Sequence, residues 1–274
     1  NLVWTLFYYY EYYLYTGDEQ TLKNKVLPLL KKSANFMIHL LQKDERGIYH
    51  LRMSHSPEYK NAVDTNYGLA SLRWALKTLI ETDAKFKLND KDSKKWREIL
   101  DNLAEYPKDE TGFMIGKDVA LTSSHRHYSH LLMIYPYQMV NSEQKGNRQI
   151  IEKSLAHWLS LKGALQGYTF TGSASMYAGM GDGNKAYDLL NQLFDKYIQP
   201  NTLYKESGPV IETPLAAVAS IQEMLLQSWG GKIRVFPAVP SSWQNAAFDR
   251  LLAAGAFEVS AKMENGKTVF IKIK

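Results

Sequence analysis

The stretch MYAGMGDGNKAYDLLNQLFDKY, residues 176–197, decides the fold. The triplet Gly181-Asp182-Gly183 closes a helix of small residues, and Ala186, Leu189, Leu190, Leu193 and Phe194 then recur at three- and four-residue spacing. That spacing lines one face of a second helix with apolar side chains, so the stretch reads as helix, tight turn, helix. The start of the chain echoes it. A helical run from Leu2 to Tyr15 ends in Thr16-Gly17-Asp18, and Leu22, Val26, Leu29, Leu30, Ser33, Phe36, Met37, Leu40 and Leu41 follow at helical spacing, with Asp18 as the expected N-cap. The recurrence points to stacked helical hairpins.

Working outward, the same periodicity predicts helices over Ala62 to Thr82, Lys94 to Leu103, His127 to Val140, Arg148 to Leu161 and Pro214 to Trp229, about nine in all. Around Trp229 the texture changes to short β-rich runs at residues 232–236, 256–261 and 268–273, bounded by Gly-Gly, Pro and Asn265-Gly266. The expected organisation is a mainly α region over residues 1–229 and a small C-terminal β-region over 230–274. The sequence opens at Asn1 inside a helical pattern and closes on a few strands that are marginal alone, so an N-terminally incomplete catalytic unit is expected.

With 274 residues, 45% of them hydrophobic and 22% charged, the chain can bury a full-sized core. A net charge of +5 with no basic cluster gives no footprint for nucleic acid. The absence of cysteine excludes disulfides, thiolate zinc sites and cysteine nucleophiles. Leu2 to Tyr15 is too short, at about fourteen residues, for a bilayer that needs ~20, so no membrane span is expected. Its aromatic run, Trp4, Phe7, Tyr8, Tyr9, Tyr10, Tyr12 and Tyr13, reads as core packing of a helix apolar all round, with stacking faces for a sugar as the competing reading.

Four loops, at residues 52–61, 112–126, 161–171 and 200–213, carry more functional residue types than a helical bundle needs. Ser54-His55-Ser56-Pro57-Glu58-Tyr59 presents a carboxylate after a proline that fixes the backbone; a solvated surface acid is the competing reading. His125-Arg126-His127-Tyr128-Ser129-His130 packs three imidazoles and a guanidinium into six residues. Three readings stand there: sugar-binding donors, a structural cap cluster, and a metal site using His127 and His130 at i, i+3. The last has a cation-repelling Arg126 in its middle and no HExxH pattern. The third candidate, Glu206-Ser207-Gly208-Pro209-Val210-Ile211-Glu212-Thr213-Pro214, leads Glu212 to the positive end of a helix, where a carboxylate is also an ordinary helix-start residue. Glu58 and Glu212 together have the makings of a glycosidase acid/base pair, which in inverting enzymes stands about 6.5–9.5 Å apart around a water. Gly112-Phe113-Met114-Ile115-Gly116 and Gly179-Met180-Gly181-Asp182-Gly183 lack the preceding strand and the Gly-Lys-Ser/Thr ending of a phosphate loop, and read as turns. Ser173 and Ser175 lack a nucleophile elbow and read as small residues at a helix contact.

In order along the chain, residues 13–18, Ser56-Pro57-Glu58, His125-Arg126-His127-Tyr128-Ser129-His130-Leu131, Gly181-Asp182-Gly183, residues 223–228 and Phe236-Pro237-Ala238-Val239-Pro240-Ser241-Ser242-Trp243 resemble the catalytic region of glycoside hydrolase family 95, the α-L-fucosidases and α-L-galactosidases. The resemblance implies an (α/α)6 toroid of the six-hairpin glycosidase type. It makes Glu58 the general acid and puts Arg126 and His127, with His125 beside them, at the sugar. It implies a glycan substrate, no cofactor or metal, and a secreted or periplasmic location. Further partners expected are the N-terminal part of the same protein or another copy.

Two positions depart from the family pattern. Where the family has Ile-Asp-Gly-Asn-Phe-Gly, this chain reads Ile211-Glu212-Thr213-Pro214-Leu215-Ala216, and where the family has a sugar-contacting histidine six positions earlier, it has Glu206. The expected function is therefore an inverting glycosidase with Glu212 as base or water-polarising residue. A non-catalytic sugar-binding or scaffold member of the same fold is the alternative, and the altered loop at 206–216 is its support.

Overall fold

The computed structural model describes residues 2–208 and 210–274; Asn1, where the sequence opens, and Pro209, in the loop before Glu212, lie outside the described residues. The chain forms two compact units, one of the residues up to Leu121 with Ser129–Met139, the other of Thr122–Tyr128 with Val140–Lys274.

In the first unit α1 (Leu2–Thr16) leads through Asp18, which accepts from the Thr21 N–H at 2.9 Å, into α2 (Glu19–Thr21), a π-turn (Leu22–Val26) and α3 (Leu27–His39). α1 buries Val3, Leu6, Phe7 and Tyr13 and leaves Tyr8, Tyr9 and Tyr12 exposed, so it hides one face and not its whole circumference. Phe7 meets Trp74 and Tyr137 edge-on at 5.3 and 5.2 Å, and Trp74 stacks on Tyr137 at 5.5 Å. Such pairs contribute about 0.5–1.5 kcal/mol each beyond their buried area.

Two hairpins follow, β1 (Leu41–Lys43) with β2 (Tyr49–Leu51) and β3 (Ser54–Ser56) with β4 (Lys60–Ala62), both antiparallel. Because β4 runs through Ala62, the helix expected from that residue starts later, as α4 (Asn66–Phe86), capped by a Thr65 hydroxyl that accepts from the Gly68 N–H. α5 (Ser93–Asp101) and the short pair β5 (Lys108–Asp109) and β6 (Gly112–Phe113) complete the run.

The helix expected over 127–140 does not form. Ser129–Leu131 make one 3-10 turn and the chain then turns repeatedly, although Leu131, Leu132, Met133 and Ile134 are all buried. Pro136 has no N–H to continue a helix and restricts Tyr135, and Gln138 sits at φ 51 in the left-handed region.

The second unit contains α6 (Asn147–Ser160), α7 (Gly167–Gly179), α8 (Gly183–Tyr197) and α9 (Glu212–Leu225). α7 packs against both α8 and α9 and is buried along nearly its whole length. Small side chains make the approach possible: Ser175 Oγ lies 2.9 Å from Ser220 Oγ, and Ser220 Oγ donates to the Thr171 carbonyl at 3.0 Å. In the turn before α8, Gly181 takes φ 76 and Asp182 accepts from the Lys185 N–H at 3.1 Å. α9 stops at Leu225, short of the expected Trp229, because Leu226–Gln227 (β7) pair with Arg234–Val235 (β8). The C-terminal sheet has the order β11-β10-β9, from β9 (Ala246–Ala253), β10 (Phe257–Glu264) and β11 (Lys267–Ile273). It packs through Leu226, Ala253 and Val259 and through Phe236, Ala261 and Met263. The sequence gives no warning of β9, whose register against β10 shifts and whose Arg250 has φ 54.

Candidate functional site

In the first unit Glu58 stands exposed at the tip of the β3–β4 hairpin, in the turn Pro57-Glu58-Tyr59. The tip is short because Tyr59 donates its N–H back to the Ser56 carbonyl at 2.7 Å. The base is fixed from below. Ser56 is fully buried with its Oγ 2.9 Å from Ser129 Oγ, and Ser54 Oγ lies 3.0 Å from the Thr65 hydroxyl that caps α4. A carboxylate on a solvated tip is thus carried by a rigid, buried stem. A cavity of about 470 Å³ opens beside the stem, where Ser54 and His55 meet Trp4, Phe36, Met37 and Tyr67; Glu58 is not in its lining.

In the second unit the first turn of α7 gathers the other candidates. Gln166 caps it in a reciprocal box with Thr169. The segment 122–128 lies along this turn and along α6. Ser124 Oγ accepts from the Ala164 N–H at 2.9 Å, the His125 carbonyl accepts from Trp158 Nε1 at 2.7 Å, and the Arg126 carbonyl accepts from Thr169 Oγ1 at 3.2 Å. The His127 ring lies 5.3 Å from Tyr168 on one side and 5.3 Å from His125 on the other. Gly172 leaves room for the Tyr128 ring, which an added Cβ would strike. The backbone of 125–128 is therefore pinned while its side chains stay half-buried.

The loop after α8 reaches the same turn. Glu206 accepts from the Gly167 N–H at 2.9 Å with Oε1, and from Tyr204 Oη at 2.7 Å and Thr213 Oγ1 at 3.3 Å with Oε2. Gly167 has no space for a side chain, since a Cβ there would meet Thr213 and the Tyr204 hydroxyl. Burial raises the Tyr204 phenol above its ordinary range and the Glu206 carboxylate adds to that rise, so it remains a hydrogen-bond donor at any physiological pH. Glu212 is the first residue of α9, exposed, and next to the fully buried Thr213.

Among the described residues, no group of three or more His, Asp and Glu is placed to hold a metal ion, and no helix is long and apolar enough to cross a membrane. The i, i+3 pairing of His127 with His130 needs the helix that does not form; His130 is buried in the 3-10 turn of the first unit, while His125 and His127 belong to the second. Gly167, Tyr168, Tyr204 and Thr213 escaped the sequence reading. All four lie in loops rich in functional residue types, 161–171 and 200–213, but a glycine needed for close approach shows only when its neighbours are in place.

A model described as the glycosyl hydrolase family 95 catalytic domain matches residues 2–225. Alpha-L-fucosidase 2 of Arabidopsis thaliana is 24% identical over 300 residues, an alignment covering 97% of this chain and 34% of that protein, so the chain spans about one third of the relative's length. A solved structure of a putative kojibiose phosphorylase from human microbiome matches with a TM-score of 0.70 at 11% identity, over 99% of this chain and 46% of that one. At that identity the likeness speaks for the fold alone, the mainly α, six-hairpin (α/α)6 class with a small β-region.

Proposed function

The chain belongs to glycosyl hydrolase family 95, and from that premise we propose that it supplies the catalytic region of an enzyme removing a terminal α-linked sugar of L-fucose or L-galactose type from a glycan, with inversion. Glu58 gives its proton to the leaving oxygen, and Glu212 acts on the water as base or polarising group. Arg126 and His127 hold the sugar through their donors, with His125 supporting His127 by ring contact. Glu206 stands where the resemblance puts a sugar contact; its carboxylate already accepts from three donors, which leaves about one of four acceptor positions for a hydroxyl. Residues 1–229 are proposed as the catalytic region and 230–274 as its β-region.

The observation that carries this reading is the first turn of α7, which holds segment 125–128, Glu206 and the start of α9 together in one place. The rival reading, a sugar-binding protein without turnover, draws on the same loop, because Glu206 and Glu212 are where the family pattern is broken. The test is to incubate the full-length protein with α-L-fucosides and α-L-galactosides and follow the first-formed anomer by proton NMR. Initial release of the β-sugar is expected. Initial release of the α-sugar overturns inversion, and saturable sugar binding without release establishes the rival.

A further inference from the structure

Glu206 differs from an ordinary pocket carboxylate in the origin of its donors. One is the main-chain N–H of Gly167, at the start of α7; one is the hydroxyl of Thr213, in the first turn of α9; the third, Tyr204, comes from its own loop. That loop is itself anchored: Lys205 N–H donates to the Tyr197 carbonyl at 2.9 Å, Gln199 N–H donates to the Leu203 carbonyl at 2.8 Å, and the Tyr204 ring lies 5.8 Å from that of Tyr197 at the end of α8. A single half-buried side chain thus joins the starts of two helices from a loop anchored at the end of α8, and the residue it grips on α9 is the sequence neighbour of Glu212.

We propose that Glu206 is a positioning residue, a strut between α7 and α9 that fixes where Glu212 is presented to the water. The inference rests on Glu212 as the water-activating group. Charge-assisted hydrogen bonds of this kind are the stronger ones, and a reacting group displaced by about 1 Å loses on the order of 100-fold in rate. A residue that sets geometry for a step after binding lowers kcat; a residue that only grips the sugar raises KM. The substitution from the family's sugar-contacting histidine then has a physical content: most of the carboxylate's acceptor capacity holds the helix that carries the longer acid, and about one of four positions is left for the sugar.

The test uses the full-length protein and compares Glu206→Ala, Glu206→Gln, Tyr204→Phe and Thr213→Val on one activated aryl glycoside. Glu206→Ala is expected to lower kcat roughly 10- to 100-fold with KM changed less than about threefold, Glu206→Gln to recover part of the loss, and the two single-donor variants to fall less, in the same direction. In a Glu212→Gln background Glu206→Ala should add almost nothing, because there is no longer a carboxylate to place. A large rise in KM at preserved kcat, or losses that multiply in the double variant, overturns the proposal in favour of direct sugar contact. Hydrogen exchange judges the strut apart from activity. The Gly167 amide should lose protection by about tenfold or more in Glu206→Ala while amides within α8 keep theirs, and unchanged protection overturns the strut even if Glu206→Ala fails to turn over. Unchanged hydrolysis by Glu212→Gln alone would overturn the assignment of Glu212, a result separate from the exchange measurement.

Discussion

The Glu58 hairpin and the first turn of α7 present candidate functional groups in different ways. The hairpin has three-residue strands, a buried serine at its base and an exposed tip, so the functional side chain is presented to solvent from a stem fixed beneath it. At α7 the supporting residues Gly167, Thr169 and Thr213 are themselves buried, and hydrogen bonds and ring contacts converge from α6, the 122–128 segment and the loop before α9. Function and stability are separable at a solvated tip. At a buried junction they are not, because a group removed there leaves donors and acceptors unmatched.

The largest expected difference between the two regions comes from their charged groups. Glu58→Gln should lower hydrolysis of natural glycosides by roughly 100- to 10,000-fold, spare most activity on aryl glycosides whose leaving group needs no proton, and leave Tm unchanged. Arg126→Ala and His127→Ala should instead weaken both substrate types through KM, and His127→Ala should also lower Tm by a few degrees as its contacts with Tyr168 and His125 are lost. Chelators should change none of these values. Equal loss on both substrate classes for Glu58→Gln would break the comparison, since the tip would then do more than donate a proton.

A smaller effect separates two glycines. Gly172→Ala would drive a methyl into the Tyr128 ring, which Trp158 backs at 5.8 Å, and overpacking of this kind costs about 1–3 kcal/mol. Gly68→Ala in α4 meets Leu51 Cδ1 at 2.8 Å, the far end of a side chain, and Thr65 Oγ1 at 3.0 Å, contacts milder than an aromatic ring, and gains helix propensity in return. Chemical denaturation should therefore show a clear loss for Gly172→Ala and little change for Gly68→Ala. The reverse order would mean that the hairpin side of the molecule is the more tightly packed.

The two regions also differ in how far the sequence discloses them. Helical hairpins were readable because Leu22, Leu30, Leu189, Leu190 and Leu193 repeat at helical spacing and are in fact buried. The run Leu131 to Ile134 has the same apolar character and misleads, since Pro136 and the left-handed Gln138 lie just beyond it and turn the chain instead. Strands of three residues such as β3 and β4 are too short to show alternation, so the proline before Glu58 and a family resemblance mark that residue in the sequence, and its hairpin does not. The hydrogen bonds of Glu206 were out of reach for a further reason. Its donor Gly167 is 39 positions away, and that partnership is made by the packing of α7 against α9, which no local pattern encodes.

Two carboxylates, one in each unit, give the smallest and most exacting version of the comparison. Glu206 is met by three donors, whereas burial alone pushes the Glu11 carboxyl on α1 up to about 7 from its ordinary 4.5. The folded state then binds a proton at Glu11 more tightly than the unfolded chain does. Its contribution to stability is fully present below about pH 4.5 and is lost as pH rises through about 7, with no further change above that. Glu11→Gln removes the titrating group while keeping the shape. Melting curves of the two forms should therefore nearly coincide at pH 4, separate between pH 5 and 7, and leave the glutamine form several degrees more stable at pH 8. Because Glu11 is only half-buried by surface exposure, water screens part of this effect, which places it last in size. A constant difference between the two forms across that pH range would mean that Glu11 titrates in the folded protein as it does in the unfolded one, and that α1 leaves it solvated.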